Sequence, residues 1–351
     1  MRKIKNTASV ILAGGKGTRM KSGLNKLLHD ISGKPLVKYV ADTVIEAGIE
    51  KNIIVTWKNG EDIKKELGEK FEYVVQEKPL GTGHALNTAS HLLKGFHGDL
   101  CVFVGDSPFL IPEIVRNLIK KHRNSNADAT LITTIFPKTP PYGRIIRDST
   151  GTILRIVEAK DATPDELKIR EVNTSHYCFK ADVVLPLLSE IKNNNVQKEY
   201  YLTDIFEILT KHKRKIENIL VEDYHIVLGI NTREDFASAL KLMYRRKNNY
   251  FMNRGVTIID PDSTYIDNSV KIGSDTVIFP FAFIEKNSNI GKECIIGPFV
   301  KITNSKINDH CQIQYVSIDN SELAKGSVFG PFASLKDGKI QKNNKSPHIS
   351  L

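Results

Sequence analysis

The sequence predicts an α/β protein in two parts: a mixed, largely parallel sheet with helical crossovers, then a parallel β-helix of six-residue repeats. Three observations carry this. The 351 residues exceed what one small domain needs and suit two. From Thr7 to about Tyr250, short β-rich runs alternate with helical patterns. After Gly255 the period changes, with Ile266, Ile272, Ile278, Ile284, Ile290, Ile296 and Ile302 falling at strict steps of six.

The elements follow from the pattern in order. Residues 8–12 read as a buried strand, and Leu36, Val37, Val40, Val44 and Ala47 form one apolar helical face. Further strands are expected at residues 51–56, 72–75 and 100–104, with helices at 81–93 and 111–122. Strands separated by helical crossovers imply a parallel sheet covered on both faces. Denser strand-like stretches at 129–136, 144–147, 153–158 and 171–179 suggest a mixed-sheet insertion. Residues 235–249 read as a long helix leading onward. Small or acidic residues follow several of the periodic isoleucines (Asp267, Gly273, Glu285, Gly291, Gly297). The pattern resumes at Ile307 and Ile313 and again at Leu323, Phe329 and Leu335. A period of six is neither helical nor heptad; it marks a solenoid whose aliphatic residues point inward. Such prisms associate side by side, so a homotrimer is expected.

Composition narrows the function classes. Hydrophobic residues at 40% and charged residues at 26% are an ordinary globular balance. No apolar run is long enough to span a membrane, and the short one at residues 8–13 ends in glycines, unlike a signal peptide. The scattered Cys101, Cys178, Cys294 and Cys311 suggest reduced, buried thiols in a cytoplasmic protein rather than a zinc site or disulfide framework. The net charge of +10 admits nucleic acid or an anionic small substrate. The basic runs at residues 211–215 and at Lys336, Lys339, Lys342 and Lys345 interleave no aromatics, so a nucleic-acid platform is not expected.

The segment Leu12-Ala13-Gly14-Gly15-Lys16-Gly17-Thr18-Arg19-Met20 follows the first strand. Glycines there let the backbone approach a phosphate and unpaired N–H groups cradle it. A dinucleotide fingerprint and a P-loop would both need glycine where Met20 stands, so neither applies. With Lys26 and Gly33-Lys34-Pro35-Leu36 behind it, the segment resembles the signature of sugar-nucleotide pyrophosphorylases. The resemblance continues in order through Gln76, Leu80-Gly81-Thr82-Gly83-His84-Ala85, Val104-Gly105-Asp106-Ser107-Pro108, Tyr142-Gly143-Arg144-Ile145, Val157-Glu158-Ala159-Lys160-Asp161, Val172-Asn173-Thr174, Glu199-Tyr200-Tyr201-Leu202-Thr203-Asp204 and Gly229-Ile230-Asn231. Together these are similar to the uridyltransferase half of the bacterial bifunctional N-acetylglucosamine-1-phosphate uridyltransferase/glucosamine-1-phosphate acetyltransferase family. The resemblance covers nearly the whole chain.

That resemblance implies a Rossmann-like nucleotidyltransferase domain over residues 1–232, a helical linker over 233–254 and a truncated left-handed β-helix over 255–351. It implies that UTP and N-acetylglucosamine 1-phosphate give UDP-N-acetylglucosamine and pyrophosphate. The sugar-phosphate nucleophile is already ionised, so such a site needs cations and positioning more than a base. By matching position, Arg19, Lys26 and Asp106 would be catalytic, with Arg19 on the departing pyrophosphate and Lys26 on the α-phosphate or sugar phosphate. Asp106 and Asn231 would hold Mg²⁺, a sparse protein share that suits this ion. Gln76 would read the uracil edge, and Gly81 and Thr82 would complete the base pocket. Gly143, Glu158 and Asn173 would hold the amino sugar, and Leu12, Ala13, Gly14, Gly15, Val104 and Gly105 would line the substrate.

Each side chain also has a structural reading. Asp106 and Asn231 could cap helices, Glu158 and Asn173 could be turn residues, and Lys16 could be a solvated loop residue. His84 and His176 read as structural. Asn25 stands where the family has Pro, which predicts a looser loop. Gly14 replaces Ala, Val104 replaces Tyr and Ala159 replaces His, the last two on the sugar side. Residues 330–338 resemble the coil opening the acetyltransferase site, with Lys336 in place of Arg. The chain ends at Leu351 before the later coils, so no acetyltransferase activity is expected. Other readings keep the fold with a different sugar 1-phosphate or nucleotide, or make the protein a non-catalytic nucleotide-sugar-binding assembly protein.

Overall fold

The computed structural model describes residues 3–15, 17–58 and 60–341. Lys16, Lys342 and Lys345 lie outside the described residues. The chain divides into two compact units, Met1–His29 with Pro35–Asn231 and Asp30–Lys34 with Thr232–Leu351. The second grouping takes in a short segment that sequence reading assigned to the first domain.

Among the described residues the first unit holds a nine-stranded mixed sheet. Its strands are β1 (Ile4–Leu12), β2 (Ile49–Thr56), β3 (Glu72–Val75), β4 (Asp99–Val104), β5 (Ala129–Ile135), β6 (Arg144–Arg147), β7 (Ile153–Val157), β8 (Glu171–Lys180) and β9 (Ile216–Val221). The main path runs β3-β2-β1-β4-β8-β5-β9, with β6 and β7 branching off β8. Strands β1 to β4 are parallel, and β8 runs antiparallel between β4 and β5. Val10 and Ile11 are both fully buried on opposite faces of β1, which explains why that strand reads as an unbroken apolar run.

Helices α1 (Leu36–Ala47), α2 (Gly60–Leu67), α3 (Thr82–Ala89), α4 (Pro112–Ser125), α5 (Ala181–Leu187) and α6 (Asp204–Lys211) flank this sheet. The expected helix at residues 81–93 is two pieces, α3 and a 3₁₀ turn at Ser90–Leu93. Helices α2, α5 and α6 escaped the pattern reading, because eight residues or fewer hold little more than two helical periods; strand β9 escaped it as well.

In the second unit, Thr232 leads into α7 (Arg233–Met252). Its N-terminus is a capping box: Thr232 Oγ1 accepts from the Asp235 amide and the Asp235 carboxylate accepts from the Thr232 amide. The cap is therefore Thr232, one residue after the Asn231 that sequence reading offered. Among the described residues three parallel five-stranded sheets follow, forming a short left-handed β-helix. Ile266, Ile284, Ile302 and Ile318 stack in register on one sheet. Register pairs such as Ile266↔Ile284 lie one coil of three hexapeptides apart. Later coils are shorter (Ile302↔Ile318), which brings Ile318 into a slot the six-residue period skipped. The periodic isoleucines are buried, Ile272 only partly, and all four cysteines are buried and free.

Candidate active site

The site lies beyond the carboxyl ends of β1 and β4, where ligands of such sheets bind. The Ala13 amide donates to Val55 O at 2.7 Å and the Gly105 amide to Leu12 O at 3.1 Å, continuing the ladder past the strand ends. Gly17 then turns with φ 60°, and a Cβ there would lie 2.8 Å from Lys26 Cβ. Glycine at this point is what lets Lys26 fold in beneath the loop. Asn25 Oδ1 accepts from the Leu27 amide at 2.9 Å and caps the 3₁₀ turn carrying Lys26. Where the family has Pro, the Asn25 side chain thus supplies a cap to this turn.

Four polar side chains converge here. Lys26 Nζ donates to Asp106 Oδ2 at 2.5 Å and to Asn231 Oδ1 at 3.2 Å. Arg19 Nη2 donates to the same Asn231 oxygen at 2.8 Å. Lys26 and Asp106 side chains are only 11% and 17% exposed, so their attraction is weakly screened. Asp106 is held from behind, its carbonyl accepting from the Ile230 amide. The buried ring of His176 stands nearby; burial lowers its pKa to about 4, leaving it neutral, and the Asp106 charge opposes that shift.

These groups open on a cavity of about 650 Å³. Of the residues singled out from sequence, Leu12, Gly14, Gly15, Arg19, Lys26, Gln76, Gly81, Thr82, Val104, Asp106, Glu158 and Asn231 line it. Ala13 is buried beside it, and Gly105, Gly143 and Asn173 stand behind the wall rather than in it. Asn173 spends its amide internally, donating to Tyr177 Oη at 2.8 Å and accepting from the Ser175 amide at 3.1 Å. A Cβ on Gly143 would lie 3.6 Å from both Asn173 Cβ and Glu158 Oε1, so the three do cluster.

The far end is acidic. Burial pushes the Glu158 carboxyl up, opposed by the hydroxyl of Thr203 donating at 3.0 Å. Asp204 is raised to about 6, first by burial and then by Glu158. Sequence reading gave no site role to Lys160, Gln197, Glu199 or Tyr201, which complete this end. The segment 199–204 carries a motif, but only the fold shows that it lies against the start of α3: the Tyr200 amide donates to Leu80 O and the Gly83 amide to Tyr200 O, both at 2.8 Å.

For Mg²⁺, the donors fit. An anionic and a neutral oxygen, from Asp106 and Asn231, are already turned onto the same ammonium, and hard oxygen ligands suit this ion. Among the described residues no group of three His, Cys, Asp or Glu side chains forms a metal cluster.

A glycine-rich loop at the strand ends, with Lys26 and Arg19 converging on Asp106 and Asn231 at the mouth of a cavity, suits a nucleotidyltransferase site. The chain matches the nucleotidyl transferase family over residues 8–229 and the bacterial transferase hexapeptide family (six repeats) over residues 269–304. It is 42% identical over 316 residues to the bifunctional protein GlmU of Enterococcus faecalis, covering 90% of this chain and 69% of that one. It is 43% identical over 306 residues to that of Acetivibrio thermocellus, covering 87% and 66%. The chain belongs to the nucleotidyl transferase family, within the group that carries hexapeptide repeats and includes these GlmU proteins. It spans about two thirds of the length of these relatives.

Proposed function

We propose that this protein transfers uridylate from UTP to N-acetylglucosamine 1-phosphate, releasing pyrophosphate. The observation that carries the reading is the convergence of Arg19, Lys26, Asp106 and Asn231 at one end of the cavity. The sugar-phosphate oxygen forms the new bond to the α-phosphorus, and the bond to the β-phosphate bridging oxygen breaks. No proton needs removing, because the attacking oxygen is ionised. Lys26 neutralises the phosphate under attack, and Arg19 stabilises charge on the departing pyrophosphate. Bound Mg²⁺, held by Asp106 and Asn231, supplies further neutralisation of phosphate oxygens. Gln76 and Gly81 receive the base, and Glu158 with Thr203 offers acceptors to sugar hydroxyls.

Pyrophosphate release with UTP, Mg²⁺ and N-acetylglucosamine 1-phosphate is expected to exceed that with glucose 1-phosphate or with CTP. Equal rates across the panel overturn the substrate assignment. The same preparation, given acetyl-coenzyme A and glucosamine 1-phosphate, is expected to release no thiol; release shows acetyl transfer by this chain. Among the described residues no helix is long and apolar enough to cross a membrane, in keeping with a cytoplasmic enzyme. The exposed aromatic column Phe281, Phe299, Tyr315 and Phe332 along the β-helix supports a homotrimer, which a monomeric sedimentation mass would exclude.

A further inference from the structure

We infer that Tyr142 is a positioning residue for the Mg²⁺-holding pair: its hydroxyl fastens the segment that carries Asn231, so that the Asn231 oxygen meets Asp106. The inference rests on the uridyl-transfer reading and deepens it.

Tyr142 belongs to the motif Tyr142-Gly143-Arg144-Ile145, and uridyl transfer as written above gives it no task. The loop ahead of β6 holds it firmly. Arg144 is 4% exposed, and its Nη1 donates to Pro140 O at 3.1 Å and to Tyr142 O. The Tyr142 amide itself donates to Pro140 O at 2.7 Å, and one residue on the Asn173 amide donates to Gly143 O at 2.8 Å. With the backbone fixed on both sides, the ring meets Phe136 edge-on, centroids 5.6 Å apart. Phe136 also packs on Tyr224, 4.9 Å away, which opens the 3₁₀ turn Tyr224–Val227 leading to Gly229. The phenol oxygen then accepts from the Gly229 amide at 3.1 Å.

Gly229 is where the polar groups meet. A Cβ there would lie 3.4 Å from Tyr142 Oη, 3.5 Å from Asp106 Oδ1 and 3.7 Å from Asn231 Nδ2. Asp106 Oδ1 is the oxygen opposite the one that Lys26 pairs with. Two consecutive amides thus anchor the approach to Asn231: Gly229 on Tyr142 Oη, and Ile230 on Asp106 O at 3.0 Å. The bond from Ile230 sets how near the two backbones come. A single bond is a hinge, and the bond from Gly229 stops the segment turning about it, which aims the Asn231 side chain. Groups that orient metal ligands in this way are worth about 10- to 100-fold in metal affinity. Tyr142→Phe removes the oxygen and keeps the ring against Phe136, so it tests the bond with little disturbance to the packing.

The test measures Mn²⁺ binding without nucleotide, read from the EPR signal of the free ion, in the wild type, Tyr142→Phe and Asp106→Asn. Mn²⁺ takes the same oxygen ligands as Mg²⁺. The binding lost in Asp106→Asn is the part that belongs to this site. Tyr142→Phe is expected to weaken that part about tenfold and to raise the Mg²⁺ concentration for half-maximal pyrophosphate release in parallel. Its KM for UTP at saturating Mg²⁺ should stay within about twofold of the wild type. A loosened fold alone would raise that KM and lower the melting temperature with the Mg²⁺ requirement unmoved, and that result overturns the inference. A folded Tyr142→Phe protein with wild-type Mn²⁺ affinity overturns it too and leaves uridyl transfer standing. Unchanged Mn²⁺ binding in Asp106→Asn overturns the metal pair and the inference together. If the site binds Mn²⁺ but the wild type transfers no uridylate, the functional reading falls, and the Mn²⁺ comparison still decides the role of Tyr142.

Discussion

Asp106→Ala is expected to lower pyrophosphate release by about 10³-fold, roughly 4 kcal/mol of transition-state stabilisation. The carboxylate is the partner of the Lys26 ammonium at 2.5 Å and one of two oxygens available to Mg²⁺. Its loss removes the anion that orients Lys26 and leaves Asn231 as the remaining oxygen of that pair. Because Lys26 is largely buried, the alanine variant also leaves a desolvated cation short of a partner and should unfold at a lower temperature. Asp106→Asn separates the two effects. It retains shape and one acceptor oxygen, so stability should be recovered while turnover stays low. Normal pyrophosphate release by either variant would remove Asp106 from the chemistry.

The second large effect is expected at Gly81, where substitution is forbidden twice over. Its φ of 117° and ψ of 173° lie in a region reserved to glycine. A Cβ there would sit 2.5 Å from Tyr200 O and 2.8 Å from Tyr200 N, both backbone atoms. Neither can step aside, because the Tyr200 amide and carbonyl are committed to Leu80 O and the Gly83 amide. Gly81→Ala should therefore cost about 3 kcal/mol and raise the KM for UTP at least tenfold, as the base pocket opens. Gly23→Ala is the comparator: nothing lies within 4 Å of a Cβ there, so its midpoint and kinetics should match the wild type. An unchanged melting temperature and KM in Gly81→Ala would contradict the argument.

Much of the site was legible in the chain because its chemistry sits in contiguous words. The glycine loop, Lys26, the strand-end Asp106 and the motif carrying Glu158 each combine a local backbone demand with a charged residue. Asn231 was legible too, but its neighbour Thr232 takes the helix cap, a distinction of one residue that only hydrogen-bond geometry resolves. Tyr201 and Gln197 were hidden for another reason. They reach the cavity through a loop placed by backbone bonds to α3, more than a hundred residues earlier in the chain.

Sequence alone determined the periods, and with them the architecture. An aliphatic residue every six positions can bury its side chains only in a solenoid, and unbroken apolar strands between helical faces can do so only in a covered sheet. It also determined which charges were available to meet phosphates. Tertiary structure decided which of those charges meet. Lys26, Asp106 and Asn231 are separated by 80 and 125 positions, and no local rule brings them within 3.2 Å. The parallel order of β1 and β4 does so, by delivering their carboxyl ends side by side.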